Sequence, residues 1–266
     1  MGDRRLAPDL KRFFAARGFA MASIEYRLTG EAIFPAQLHD VKTAIRWLRS
    51  VASQYGFDGE RIGVWGSSAG GHLAALTAPT GDSVMEPERP EHGEFSTRVA
   101  AVVEGYGPMD FLRMDEQRPK PGTFTEDPEA AHLPKGPPAA SPDSPESRLI
   151  GAPIDTRPDI ARTASPLAYA KAGAPPFLIL HGRSDSLVPM GQSELLFDAL
   201  AATGNEATLL LIDGIGHAFL GRQDGWGDGR ATTLRHTAGG KTDADRVGPT
   251  ASYALIEDFF RQHLAD

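Results

Sequence analysis

Hydrophobic positions along this chain keep two rhythms that alternate from end to end. Phe19–Tyr26 alternates loosely and reads as a strand, and Phe34-Pro35 then breaks the chain. Leu38, Val41, Ile45, Leu48 and Ala52 recur at spacings of three and four, which predicts a helix over Ala36–Tyr55 with one apolar stripe, ended by Gly56. Arg61–Trp65 is a short apolar strand leading into Gly66-Ser67-Ser68-Ala69-Gly70, and the small apolar residues that follow predict a buried helix through Ala78, stopped by Pro79. Val99–Val103, Pro176–Leu180 and Thr208–Ile212 are continuous apolar runs, as expected of parallel strands covered on both faces. Helices are predicted over Gly191–Thr203 and Ala251–Leu264, the latter with Thr250 as N-cap. Strand–helix alternation of this kind implies an α/β fold with a mostly parallel sheet and helices on both faces, here read as a single domain over residues 1–266.

Two stretches leave the rhythm. Residues 111–148 hold eight prolines between Pro119 and Pro145, too many for a long helix or a central strand, and read as a lid over the carboxyl edge of the sheet. Residues 221–248 form a second, Gly-rich loop insertion carrying Trp226, which either lines a site or packs the loop down.

Composition narrows the chemistry. With 266 residues the chain can bury a full core, and with no cysteine it has no disulfide, no thiolate metal site and no cysteine nucleophile. A net charge of -8 argues against nucleic acid as a partner, and no apolar run approaches the length of a membrane span. The first 26 residues make a poor signal peptide, so a cytoplasmic location is expected, subject to the natural chain starting upstream.

The pentapeptide Gly66–Gly70 matches G-x-S-x-G between an apolar strand and an apolar helix. This context places Ser68 on a strained turn at a helix N-terminus, with the flanking glycines expected to avoid Cβ clashes. The Ala69 N–H is then a candidate oxyanion donor. Of eight histidines, His217 lies just past the strand Thr208–Ile212, at the same sheet edge as Ser68, and is the expected base. His72 reads as a packed core histidine and His181 as the shaper of a turn. His39, His92, His132, His236 and His263 read as solvated. Asp185, directly after the strand Pro176–Leu180, is the expected orienting carboxylate, with Glu104 as the alternative acid and Asp213 as a turn cap. No cofactor or metal site is expected.

The order Ser68, Asp185, His217 is that of the α/β-hydrolases. With it go Ala22–Leu28, Phe34-Pro35-Ala36, Asp40-Val41-Lys42, Ile45–Leu48, Arg61–Ala74, Ser144–Gly151, Ser165-Pro166-Leu167, Pro176–Gly182, Leu187-Val188-Pro189 and Gly216-His217. On these residues, over nearly the whole chain, the sequence resembles α/β-hydrolase esterases and lipases of the hormone-sensitive-lipase and bacterial acetylxylan/feruloyl esterase group. The resemblance implies hydrolysis of a small, short-acyl carboxylic ester without a cofactor. Amide or formamide hydrolysis by the same triad, or a truncated relative of low or no activity, are the rivals. Family members carry an HGGG-type motif ahead of the segment matching Asp3–Tyr26; here His-Gly occurs at His181-Gly182, on the strand of the acid, and at His92-Gly93, neither followed by a second glycine. The expected fold is therefore N-terminally shortened, lacking a central strand and the second oxyanion donor. A late start, direct pairing of Phe19–Tyr26 with Arg61–Trp65, or a homodimer covering the shortened edge would each account for it.

Overall fold

The computed structural model describes residues 9–118, 136–222 and 225–264. The chain opens with α1 (Leu10–Phe13) and reaches α2 (Ala36–Tyr55), β1 (Gly63–Ser67), α3 (Ala69–Thr80) and β2 (Ala101–Gly105). Three short helices, α4 (Met114–Gln117), α5 (Pro145–Ile150) and α6 (Pro158–Thr163), precede β3 (Phe177–Gly182), α7 (Gly191–Ala202) and β4 (Ala207–Ile212). The chain closes with β5 (Thr232–Ala238), β6 (Lys241–Thr242), β7 (Arg246–Val247) and α8 (Tyr253–Leu264).

Strands β1 to β4 are parallel and lie side by side in chain order, and β5 pairs antiparallel with β4, so the sheet is mostly parallel with an antiparallel edge. Because successive strand residues point to opposite faces, the apolar runs feed two cores. Val102, Phe177, Ile179, Leu209 and Leu211 face one core with α2, α3 and α7, whose contributions include Leu38, Leu73 and Leu196. Ala101, Val103, Leu178, Leu180, Leu210 and Ile212 face the other, with Phe13 of α1 and Tyr253, Ile256 and Phe260 of α8. The predicted α2 stripe is buried at Leu38, Val41, Ile45 and Ala52. The same helix also buries Lys42, Arg46 and Arg49. Lys42 Nζ donates to the carbonyls of Gly81 and Val84 at 2.8 and 2.6 Å and to Glu86 Oε1 at 2.6 Å, while Arg46 pairs with the other Glu86 oxygen.

Four expectations need correction. Residues 19–26 form no strand: among the described residues β1 has a single sheet neighbour, β2, and the direct pairing with residues 61–65 does not occur. Residues 221–248 are not simply a loop, since β5, β6 and β7 extend the sheet there, with Gly239 and Gly240 at positive φ supplying the tight turn between β5 and β6. Helix α3 runs past Pro79 to Thr80. The hydroxyl that receives an N–H at the start of α8 belongs to Ser252, from Leu255, rather than to Thr250.

Of the stretch expected to form a lid, residues 119–135, including His132, lie outside the described residues. Its described ends are tied together, because the two Asp115 carboxylate oxygens accept the N–H groups of Ala139 and Ala140 at 2.7 and 3.0 Å.

Candidate active site

Ser68, Asp185 and His217 stand at the carboxyl ends of β1, β3 and β4, the edge where open parallel sheets bind ligands. Ser68 occupies a left-handed turn at φ 54, immediately before α3. A non-glycine residue rarely adopts this conformation, and here the turn lifts the side chain off the strand end. Of the two motif glycines, only the first is sterically required. A Cβ on Gly66 would lie 2.1 Å from the Gly70 carbonyl oxygen, whereas one on Gly70 would meet nothing within 4 Å. This corrects the expectation that both glycines avoid a clash. Gly71 is the second required glycine, with a Cβ there falling 2.7 Å from Glu104 Oε1.

The three side chains form one line. His217 Nε2 is 2.9 Å from Ser68 Oγ, and His217 Nδ1 is 2.7 Å from Asp185 Oδ2. With Nδ1–H donating to the carboxylate, Nε2 is free to accept the serine proton. Asp185 is buried, and its other oxygen accepts the backbone N–H groups of Leu187 and Val188, both at 2.9 Å. Burial alone would raise its pKa. The imidazoles of His217 and His181 outweigh that effect and hold the carboxyl well below the usual carboxylate range.

Tyr106 completes the wall behind His217, their ring centroids being 4.7 Å apart at an edge-on 63°. It is buried, sits at φ 43, and its hydroxyl accepts the Leu220 N–H at 3.1 Å. Burial pushes its phenol above the ordinary range. Sequence reasoning passed over it, and the only signal was an aromatic residue between Gly105 and Gly107 at a strand end.

Glu104 does not reach His217. It is wholly buried between α3, β3 and α7, accepting from the Gly107 N–H at 2.5 Å and facing Ser193. His181 does more than shape a turn: it is buried, and its Nε2 lies 3.3 Å from Asp185 Oδ2. His72 donates to the Ala164 carbonyl at 2.7 Å in the core, where burial lowers its pKa to about 4. Asp213 pairs with Arg183 at 2.9 Å. Trp226 packs against Phe219 and Tyr253 in the second core.

A cleft of about 2030 Å³ opens in front of Ser68 and His217 and continues along the outer edge of β1, between residues 18–28 and α2. Trp47 and Tyr55 of α2 are exposed and line it. Among the described residues no group of His, Asp and Glu could hold a metal ion, and no helix is long and apolar enough to cross a membrane.

Comparison with known proteins places the chain among esterases. Esterase LipC of Mycobacterium tuberculosis is 34% identical over 207 residues, covering 77% of this chain and 46% of its own. The chain spans about half the length of the curated relatives it matches. Among solved structures, a bifunctional GH43-CE protein of Bacteroides eggerthii superposes with a TM-score of 0.72 at 28% identity, over 99% of this chain and 31% of that one. Propionate-bound esterase Est2 of Thermogutta terrifontis gives a TM-score of 0.61 at 26% identity, over 82% and 70% of the two chains. The sheet and its helices are those of an α/β-hydrolase. The BD-FAE family model matches residues 2–200, three quarters of the sequence, and the chain belongs to the BD-FAE family.

Proposed function

We propose that the chain is a serine carboxylesterase acting on small, short-acyl esters. The observation that carries this reading is the unbroken hydrogen-bonded line from Ser68 Oγ through His217 to buried Asp185, with the serine held on a strained turn that faces an open cleft. Ser68 Oγ attacks the ester carbonyl while His217 Nε2 takes its proton, and the same nitrogen returns that proton to the departing alkoxide. Asp185 holds the imidazole in the Nδ1–H tautomer and balances the charge it gains. The Ala69 N–H, first in α3, serves as the oxyanion donor in this reading, and the dipole of the helix adds to it. Water then attacks the acyl carbon as His217 Nε2 takes its proton, the bond to Ser68 Oγ breaks with that proton passing back to the serine oxygen, and the acyl group leaves as a carboxylic acid. The sequence needs no cofactor. Short acyl groups are favoured by the propionate held in the Est2 relative.

The test pairs p-nitrophenyl acetate hydrolysis with labelling by a fluorophosphonate, which reacts only with an activated serine. Turnover and labelling should both vanish in Ser68→Ala. A folded wild-type chain that neither hydrolyses the ester nor takes the label would end this reading. Faster cleavage of N-formyl or other amide substrates than of acetate esters would move it to the amide-hydrolase rival.

A further inference from the structure

Behind Asp185, on the side away from the serine, lies a second buried polar line that the reaction just described does not use. His181 projects from β3 and is completely buried. Its Nε2 faces two acceptors, the Val188 carbonyl oxygen at 3.0 Å and Asp185 Oδ2 at 3.3 Å. In a neutral imidazole the single ring proton is best placed on a nitrogen that lies between a carbonyl and a carboxylate, so with a donor at the other nitrogen Nδ1 is the acceptor of this ring. Its partner is Ser193 Oγ of α7, at 2.7 Å. The hydroxyl has one proton to give, either to Nδ1 or to Glu104 Oε2 at 3.4 Å, and while it goes to Nδ1 the bare oxygen faces the carboxyl group. A carboxyl group can serve there only in its protonated form.

The surroundings of Glu104 fit that form. Its other oxygen has one close donor, the Gly107 N–H, and a Cβ on Gly71 or Gly107 would lie within 2.7 or 2.9 Å of the same oxygen, so two glycines leave the room it occupies. Among the described residues no lysine or arginine acts on it, and the basic group that does is the His181 imidazole. The ionisable groups on the elements around it are His181 on β3, with Asp185 and His217 beyond, and His72 on α3, whose ring turns away to Ala164. From α7 it meets Ser193, while the neighbouring Gln192 is engaged with the N–H groups of Met109 and Asp110. Burial pushes the Glu104 carboxyl up to about 7.

We propose that Glu104, held as the carboxylic acid, acts through Ser193 to fix His181 as its Nε2–H tautomer, and that His181 thereby pins Asp185 in place against His217. Glu104, Ser193 and His181 are positioning residues, since none touches the reacting atoms. When Glu104 loses its proton, Ser193 turns its own proton to the carboxylate and Nδ1 is left without a donor. The ring proton then shifts to Nδ1, and Asp185 loses one of the groups that orient it. This inference rests on the triad reading only for its effect on rate; the tautomer of His181 stands apart from it.

The experiment uses the full chain labelled with nitrogen isotope in its histidines, with His181 assigned by its loss in His181→Gln. Nitrogen–proton spectra should show His181 as the Nε2–H tautomer below about pH 7 and a change above it. Glu104→Gln, whose side-chain N–H mimics the acid proton, should remove the change seen above about pH 7. In the hydrolysis assay Glu104→Ala should lower kcat about tenfold with KM unchanged, the effect of weakening the His181 hydrogen bond to the Asp185 carboxylate, and Glu104→Gln should restore most of it and flatten the alkaline limb. An Nδ1–H tautomer at acid pH, a tautomer that ignores pH in the wild type, or an alkaline limb unchanged in Glu104→Gln would each overturn the proposal. A wild type with no turnover and no fluorophosphonate labelling would instead remove the esterase reading, and the spectra would still decide the tautomer.

Discussion

Replacing Gly66 with alanine tests the serine turn most directly, because the structure fixes the size of the insult. The new methyl carbon would start 2.1 Å from the Gly70 carbonyl oxygen, 2.2 Å from its carbon and 2.8 Å from the Gly71 nitrogen, all backbone atoms with no rotamer to yield. Relieving the contact needs a shift of roughly 1 Å, shared between β1 and the first turn of α3, and both flank Ser68. A displacement of about 1 Å at a reacting group costs on the order of 10²-fold in rate, and overpacking of this kind costs about 1–3 kcal/mol in stability. Hydrolysis of p-nitrophenyl acetate should therefore fall by roughly 10² in kcat/KM while the melting temperature drops by about 2–10 °C. Gly70→Ala is the control, since its methyl group meets nothing within 4 Å and removes a helix glycine. It should fold at least as well as the wild type, gaining about 0.5–1 kcal/mol. Equal activity in the two variants, or a greater loss in Gly70→Ala, would refute the steric argument for the turn.

Three further outcomes are expected. Asp185→Asn should keep the fold and KM but lose roughly 10⁴-fold in kcat, because the amide favours the wrong imidazole tautomer; retention of a tenth of the rate would count against Asp185 as the orienting acid. Glu86→Ala strips the carboxylate from buried Lys42 and Arg46 and should cost about 3–5 kcal/mol by chemical denaturation, with hydrolysis per folded molecule unchanged. Between pH 4.5 and 6.5 two buried groups oppose one another. The folded state declines a proton on His72, lowered from 6.5 to about 4, so acidification destabilises it; it retains one on Glu104, raised from 4.5 to about 7, so raising the pH destabilises it. Wild-type melting temperature should thus be nearly level across that window. Glu104→Gln should melt lower as pH falls and His72→Gln lower as pH rises, and slopes of the same sign in the two variants would contradict the assignment.

Much of this arrangement was legible in the residues because it is written locally. The serine turn needs a strand, a glycine and a helix in immediate succession, and residues 61–78 spell that out. The strands flanking the acid and the base are continuous apolar runs, so their carboxyl ends could be found and the side chains just beyond them nominated. What escaped notice depends on partners distant in sequence. Residues 19–26 have the composition of a strand, yet a strand is made by the ladder it joins, and among the described residues this segment is in no ladder of the sheet. Residues 232–238 read as loop because Thr, Arg and His alternate with few apolar residues, as suits a strand near the sheet edge with one face wet. Lys42 and Arg46 resemble solvated helix positions until Glu86 and the carbonyls of residues 81 and 84 close over them. Glu104 and Asp185 both follow apolar strands, and only the fold shows that one faces His217 and the other a neighbouring serine.

The flank of β1 away from β2 has a bearing on how activity is lost on heating. Among the described residues the strand that delivers Ser68 is held by one ladder, to β2, while β2 and β3 are each held by two. Opening it breaks one set of backbone hydrogen bonds and frees residues that are only half-buried, so its free energy of local unfolding lies below that of the global transition. Amide exchange at Val64 and Trp65 should accordingly outrun that at Leu178 and Ile179. Thermal inactivation then begins as a sub-global event confined to the nucleophile strand, ahead of the cooperative loss of circular dichroism, and the half-life of the activity is governed by how tightly that single flank is held.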